Sequence, residues 1–567
     1  MELHLIPEVK KCDLLQGFLK NKTICPPDEV TDIRLLRALG KLPQSQEGTP
    51  VSIKVTGTSG EGYSLFVRED AIEIQGVSPA GAFYAIQTLR QLMQQEKVPC
   101  LQIRDEPDFS HRGFYQDVTR GRIPRVQTIK NLIDQMAYYK LNSLQLYVEH
   151  VFPFSETQDI ISQTGCLTQQ ELKEIGEYCR ENFIEFIPSL STFGHLYDLL
   201  QQPQYRHLRV LNDYKEEPNF WHARMAHHTI DPLQQESFEL VKSLIDQYMP
   251  CFESPWFNVC CDETFDLKRY AREGLDEGQI YVDFVKKILS YVSGKGKKVM
   301  MWADILLEHP EVIPQLPEDA VYLNWYYHPN PEQIREKITR FAETGKQQIV
   351  CPGTWSWHRL CENVAAEEVN ICHTIQQGYD HGAVGVLNTN WGDWGNPCSL
   401  ELGMYGMVLG AAKSWAVDTQ PGESLYRAVD ALLYGSREGM AALTELSAVH
   451  EPIRWQSYVA SLYEGKTDYP SRETVQEVQH RYLALKEKLR ENWDRDEFRQ
   501  EILLAAMGVC VMAEQMGTLA GYELQRVTDT EAFLSLYRKK WLEKHKESEL
   551  RNIETLFRSQ ESRIINS

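Results

Sequence analysis

The sequence predicts a (β/α)8 barrel with a small α/β domain before it and a helical domain after it. Three observations carry this. From about residue 112 to about 390, eight short segments rich in β-branched or aromatic residues alternate with amphipathic helical stretches, the rhythm of parallel strands joined by crossover helices. Each of the eight ends in polar or aromatic residues. No glycine-rich phosphate turn opens a helix, although a doubly wound sheet, the competing architecture, usually shows one. At 567 residues the chain exceeds one compact core and is long enough for two or three domains.

Residues 1–105 read as the α/β module. Val51–Val55 and Tyr63–Val67 alternate as strands do, and Ala71–Gly76 continues the pattern into a glycine turn. Ala80–Gln94 then places Phe83, Ile86, Leu89 and Leu92 at helical spacing. Residues 106–415 carry the barrel. Its strand candidates are Gly113–Asp117, Ser143–Val148, Ile184–Ser189, Trp256–Cys260, Lys298–Trp302, Val321–Trp325, Gln348–Cys351 and Gly385–Asn390, separated by helices such as Val126–Lys140, Thr168–Glu181, Ser237–Tyr248 and Ile280–Val292. Residues 416–567 lose the strand signal. Thr474–Asn492 and Phe498–Met516 read as helices charged on one face, so a helical domain packed beside the barrel is expected.

Composition narrows the function classes. The 59 basic and 80 acidic residues give a net charge of −21, which repels nucleic acid and anionic membranes and favours a neutral ligand. No apolar run looks long enough for a membrane span. The N-terminus lacks a basic n-region and an apolar h-region, so a cytoplasmic protein is expected. Thirteen cysteines, an odd number with no Cys-x-x-Cys pair, suit reduced thiols. No cofactor motif is present, and oligomeric state stays open.

In a barrel of this kind, chemistry belongs at the carboxyl ends of the strands. There the sequence places Asp117 and Arg120, Glu149-His150, Gly194-His195, Asp262-Glu263, Trp302-Ala303-Asp304, Trp325-Tyr326-Tyr327, Trp355-Ser356-Trp357 and Trp391-Gly392-Asp393-Trp394. Six of the twelve tryptophans thus gather at one face. Sugar C–H faces stack on indoles and sugar hydroxyls pair with carboxylates, so the set points to a saccharide pocket. Asp262 and Glu263 are adjacent, whereas retaining glycosidases oppose two carboxyls about 5 Å apart across the bond. Adjacent acids act from one side, and a 2-acetamido group on the substrate is then the obvious nucleophile.

These residues resemble glycoside hydrolase family 20, the β-N-acetylhexosaminidases. The resemblance covers about residues 50–420. It rests on Gly81–Leu92, on Arg112-Gly113-x-x-x-Asp117-x-x-Arg120, on the Gly194-His195 corner and on Asp262-Glu263. It implies an exo-acting enzyme that removes terminal β-linked GlcNAc or GalNAc by substrate-assisted retaining hydrolysis. Glu263 would be the general acid and later the base, and Asp262 would orient the acetamido group. Glu149 and His195 would support the acid, and Arg112 and Asp393 would hold ring hydroxyls. Trp302, Trp325, Trp357 and Trp391 would wall the site. Tyr326 or Tyr327 would bond the acetamide carbonyl, and His150 is a further candidate for a hydroxyl contact. Where the family has two glycines before its Asp-Glu, this chain has Cys260-Cys261.

Two other classes stay open: a carbohydrate-binding protein that keeps the pocket without catalysis, and an exo-glycosidase for a different sugar. His222, His227 and His228 lack a His-Glu-x-x-His pattern, so no metal site is expected from them.

Overall fold

The structure is a computed structural model that describes residues 3–566 apart from 28, 213–216, 218, 464–467 and 492. It contains the predicted barrel, the N-terminal sheet domain and a C-terminal helical region.

Six strands form the N-terminal sheet: β1 (Lys11–Phe18), β2 (Ile24–Cys25), β3 (Thr49–Val55), β4 (Tyr63–Val67), β5 (Ile72–Gly76) and β6 (Pro99–Asp105), in the order β1-β6-β4-β5-β3-β2. The sequence shows β3, β4 and β5 because alternate residues are buried. It hides β1, whose side chains are nearly all exposed or half-buried and so lack an apolar face. Pro79–Gln94 packs on the sheet. Ser78 caps this helix by accepting from the Ala80 and Gly81 N–H groups, and Pro79 occupies its first turn.

Eight parallel strands close the barrel: β7 (His111–Asp117), β8 (Ser143–Val148), β9 (Glu185–Leu190), β10 (Trp256–Asn258), β11 (Lys298–Trp302), β12 (Val321–Trp325), β13 (Gln347–Cys351) and β14 (Gly385–Asn390). Closure comes from β14 pairing β7, from Gly385 opposite His111 to Asn390 opposite Gln116. Tyr115, Tyr147, Ile187, Met300, Trp302, Leu323 and Leu387 fill the interior, so the barrel is a packed core rather than a pore. β10 is shorter than the sequence suggests. Cys260 and Cys261 have φ of 58° and 68°, and a residue in the left-handed region cannot continue a strand.

Arg112 corrects the sequence reading. It lies near the amino end of β7, roughly 16 Å along the strand from Asp117, and its side chain is fully buried against the N-terminal domain. Its guanidinium donates to Glu61 at 2.6 and 3.2 Å, to the Phe109 carbonyl at 2.7 Å and to the Lys140 carbonyl at 3.0 Å. Beside it, Lys140 pairs with Asp105 at 3.2 Å, and Asp105 also accepts from Tyr63 and Trp415. Arg112 therefore fastens one domain to the other at the end of the barrel away from the chemistry.

The C-terminal region begins after the last barrel helix, Met404–Trp415. The helix predicted at Thr474–Asn492 spans Arg472–Lys488, with Asn492 itself outside the described residues. The next spans Asp496–Leu519. This helix is long and apolar enough to cross a membrane, with mean hydropathy 1.6, contrary to the expectation that no such run exists. Its apolar window is 78% buried among the other helices, which accounts for its composition. The region also grips the loop after β7. Lys546 N–H donates to the Ile123 carbonyl at 2.8 Å, and Arg122 donates to Tyr537 at 2.9 Å while lying 4.1 Å from the Trp541 ring centre.

Beyond β13, Glu362 and Glu367 are both fully buried, with Glu362 accepting from the Gly406 N–H at 3.1 Å. Burial pushes Glu362 up to about 8, and burial together with the neighbouring Glu362 carboxyl raises Glu367 as well. The folded chain thus keeps protons that the unfolded chain releases near pH 4. The stability gained by holding this pair neutral is complete below about pH 4 and lost as pH rises toward about 8.

Two outcomes are expected. Arg112→Met should destabilise the protein by about 3 kcal/mol, because Glu61 loses its partner and a buried side chain is cut back. The folded fraction should keep its KM for any saccharide substrate. Denaturant unfolding beside steady-state kinetics checks this, and a raised KM at unchanged stability would return Arg112 to the sugar site. Glu367→Gln should flatten the fall in Tm between about pH 5 and pH 8.5; parallel Tm profiles for variant and parent would contradict the buried-pair account.

Candidate active site

The carboxyl ends of the barrel strands converge as expected, and Arg120 stands where the sequence reading put Arg112. Asp117, the last residue of β7, shapes the turn that delivers it. Asp117 Oδ1 accepts from the N–H groups of Thr119 at 2.9 Å and Arg120 at 3.0 Å, and Oδ2 accepts from Gly392 N–H at 3.0 Å. Burial lifts the Asp117 pKa to about 6, with Arg120 opposing.

The Arg120 guanidinium has four side-chain partners. It donates to Glu149 Oε1 at 3.0 Å, to the Tyr147 hydroxyl at 3.1 Å, to His195 Nδ1 at 3.2 Å and to Asp393 Oδ1. It also lies 5.3 Å from the Trp391 ring centre. Burial alone would raise the Asp393 carboxyl, yet the guanidinium holds it well below the usual carboxylate range. The second Asp393 oxygen sits 3.6 Å from His358 Nε2. Glu149 and His195 are therefore joined through Arg120 and do not pair directly.

His195 Nε2 lies 3.3 Å from Asp262 Oδ2 and 3.3 Å from Glu263 Oε2. Burial is the largest single influence and lowers the imidazole pKa, but Asp262 and Glu263 together outweigh it and raise the value to about 10, with Arg120 opposing. Arginine can only donate, so its contact at Nδ1 requires that nitrogen to be unprotonated. The two acids pull the ring toward the cation and Arg120 resists. The Arg120 contact at Nδ1 favours a neutral ring with its proton on Nε2, the nitrogen that faces the two carboxylates. His228 holds the ring in place: its Nδ1 accepts from the His195 N–H at 2.8 Å, and the two rings stack at 4.4 Å. Gly194 is needed beside them, because a Cβ there would collide with the Asp262 carbonyl oxygen.

The segment carrying the acids is strained. Cys260, Cys261 and Glu263 all have positive φ, a conformation that costs a non-glycine residue about 1–2 kcal/mol. Neighbouring strands hold it there. Asn258 Oδ1 accepts from Cys260 N–H at 2.9 Å, Trp302 N–H donates to the Cys260 carbonyl at 3.0 Å, and Tyr281 donates to the Cys261 carbonyl at 2.8 Å. Asp304 accepts from Glu263 N–H at 2.9 Å. Burial, with Asp262 next to it, raises the Asp304 carboxyl well above the usual carboxylate range, so it braces the Glu263 backbone with its negative charge disfavoured. Burial also pushes the Cys260 thiol up to about 12, which leaves it unreactive.

Trp302 is fully buried, with its ring 5.8 Å from Trp391, and Trp325 stacks on Tyr327 at 5.0 Å. Trp357 meets Tyr327 edge-on at 5.1 Å. The two tyrosines after β12 part company. Tyr327 faces the barrel interior, where its hydroxyl oxygen accepts from Trp391 Nε1 at 2.8 Å and lies 3.1 Å from Thr389 Oγ1, whose own proton goes to the Pro352 carbonyl at 2.9 Å. Tyr326 points to the outer layer and bonds Gln333, so it is removed from the site. His150 is 3% exposed and turns to Asp198, 3.4 Å away, behind Glu149. His222 and His227 pair with Glu217, while His228 supports His195, so the three do not converge on a common point.

Sequence reasoning named Arg120 without giving it a role and gave none to Tyr147, His228 or Asp304. Tyr147 carried a signal: it is two residues before Glu149 and so shares its side of β8. His228 and Asp304 gain meaning only from contacts across separate loops.

Comparison with known proteins places this geometry. Residues 109–390 match the model of the glycosyl hydrolase family 20 catalytic domain, and residues 4–106 match that of domain 2 of the same family. A β-hexosaminidase of Porphyromonas gingivalis is 27% identical over 283 residues, 43% of this chain and 36% of that protein. One of Emericella nidulans is 25% identical over 323 residues, 51% of this chain and 52% of that protein. The matched stretches thus span about a third to a half of these relatives. The crystal structure of Flavobacterium johnsoniae chitobiase shares the fold over 99% of both chains, with TM-score 0.62 and 18% identity. Both family models, in order along the chain, cover well over half of it, and the chain belongs to glycosyl hydrolase family 20.

Proposed function

We propose that the protein is an exo-acting β-N-acetylhexosaminidase that removes terminal β-linked GlcNAc or GalNAc by substrate-assisted, retaining hydrolysis. One observation carries the reading: Asp262 and Glu263 both lie 3.3 Å from the same His195 nitrogen. The acids are side by side, so they do not flank a sugar ring as an opposed pair would. Glu149 and Asp393 are held by Arg120, and Asp304 braces the Glu263 backbone. None of the three is free to attack the anomeric carbon, which leaves the 2-acetamido oxygen as nucleophile.

In the first step Glu263 protonates the leaving oxygen while the acetamide oxygen bonds to C1, giving an oxazolinium ion. Asp262 Oδ1, which is buried without a hydrogen-bond partner, accepts the acetamide N–H and offsets the positive charge. Tyr327, whose oxygen accepts from Trp391 Nε1, turns its phenolic proton from Thr389 to the acetamide carbonyl. In the second step Glu263 takes a proton from water, which opens the ring at C1 with net retention. Arg120 and Asp393 meet the sugar hydroxyls, and Trp325, Trp357 and Trp391 wall the ring, with the fully buried Trp302 packed beneath Trp391. All thirteen cysteines are unpaired, which supports a reducing, cytoplasmic setting.

Glu263→Gln should lower kcat on a GlcNAc disaccharide by about 10²–10⁴-fold, and by less on an aryl glycoside whose leaving group needs no proton. Equal losses on both substrates would remove Glu263 as the acid. A thiazoline mimic of the cyclised acetamide should inhibit at micromolar concentration or below, and about 10–100-fold more weakly in Asp262→Asn. Turnover of substrates lacking the acetamide, with no inhibition, would overturn substrate assistance. Rates on aryl β-GlcNAc and aryl β-GalNAc measured side by side set the epimer preference.

A further inference from the structure

Behind the catalytic pocket, three side chains of the kinds that ligate metals meet without satisfying one another. Glu149 and His150 follow the end of β8, and Asp198 comes from the short helix Tyr197–Leu200 after β9. His150 Nδ1 lies 3.4 Å from Asp198 Oδ2 and 3.9 Å from Glu149 Oε2, and the three atoms are all within 4.8 Å of one another. Among the described residues none of the three atoms has a hydrogen-bond partner, and all are buried. The other oxygen of Glu149 is taken by Arg120 and Tyr147. Glu149 and His150 are only 4% and 3% exposed.

Carboxylate oxygens only accept, and a single proton on His150 Nδ1 cannot bond both of them well at these distances. A buried carboxylate oxygen left unpaired is costly, whereas one cation at the centre satisfies all three atoms at once. The charges agree. The surrounding network sets the carboxylates of Glu149, Asp198, Asp393 and Glu549 against the guanidiniums of Arg120 and Arg224, so it is two positive charges short. One imidazole nitrogen with two carboxylate oxygens suits zinc or a similar transition metal, while magnesium and calcium prefer oxygen alone. Ligand bonds of about 2.0–2.2 Å ask each side chain to move by less than about 1 Å. Arg224 Nε, 3.1 Å from Asp198 Oδ2, orients that ligand from behind. Asp198 also lies in the wall of an open cavity of about 830 Å³, which gives an ion its way in.

We propose that Glu149, His150 and Asp198 bind one divalent transition-metal ion, with zinc the best fit, and that the ion fixes the loop after β9 to the end of β8. With Glu149 Oε2 held by the metal, Oε1 stays turned to Arg120, so the ion positions the guanidinium that in turn meets His195. It touches no sugar atom and carries no proton. The proposal is independent of the sugar chemistry proposed above.

The test titrates zinc chloride into the full-length, chelator-treated protein by calorimetry and by Tm, beside His150→Ala and Asp198→Asn. Asparagine keeps the volume of aspartate, so that variant reads the ligand charge rather than the packing. The parent should bind zinc with a Kd of about 1 μM or tighter, and its Tm should rise with zinc but not with magnesium at the same concentration. Each variant should bind at least about 10–100-fold more weakly and lose the Tm rise. Cobalt(II) should give visible bands without a thiolate charge-transfer band, which separates this site from the thirteen cysteines. A parent whose Tm ignores zinc overturns the proposal and leaves a protonated His150 between the two carboxylates. So does zinc affinity that either variant retains in full, since the ion would then sit on thiols or on His195, Asp262 and Glu263, the other close set of ligand atoms.

Discussion

The buried Arg120 guanidinium is the interaction on which the site depends. It meets Glu149 from β8, His195 from β9 and Asp393 from β14, and so ties the carboxyl ends of strands that start far apart in sequence. A buried cation is tolerated only when its charge is matched and its donors are used. Two carboxylates, a phenol and an imidazole do that here. In return the cation keeps Asp393 ionised and fixes which nitrogen of His195 holds a proton. Asp117 makes this possible by folding the turn around its own carboxylate.

From that fixed point the geometry passes to the acids. His195 Nε2 faces both Asp262 and Glu263, while His228 and Gly194 allow the ring and the Asp262 backbone to approach closely. The segment 260–263 would relax toward ordinary backbone if freed. Hydrogen bonds from β10, β11 and the helix Glu277–Gly294 hold it. Left-handed residues at such a place are strain tolerated where a side chain must be aimed. Glycine would follow this backbone path without strain, whereas here Cys260 and Cys261 occupy it with their thiols buried and protonated.

The C-terminal helices are more than an appendage. They clamp residues 121–125, directly after Arg120, and supply Glu549 to the buried pair that runs through Arg224 to Asp198. Arg112 does comparable work at the opposite end, locking the N-terminal sheet to the barrel. Arg112 and Arg120 are both buried, one at the start of β7 and the other just past its end.

The sequence by itself determined the barrel, because strand and helix periods are local properties that survive without any partner. It also determined the acid pair, since adjacency in the chain is adjacency in space. The predicted strand Gly113–Asp117 already set Arg112 before it and Arg120 after it, and the family resemblance, not the strand pattern, gave Arg112 the site role. The contacts of each guanidinium, Arg112 with Glu61 and Arg120 with Glu149, His195 and Asp393, exist only in the folded chain. The choice between Tyr326 and Tyr327 needed the alternation of faces beyond a strand end, which the loop geometry sets. The braces His228 and Asp304 belong to loops from different strands, so their roles exist only once those loops meet. The tertiary structure decided every contact that joins separate strands, because charge pairing and ring packing depend on distances that sequence spacing does not encode.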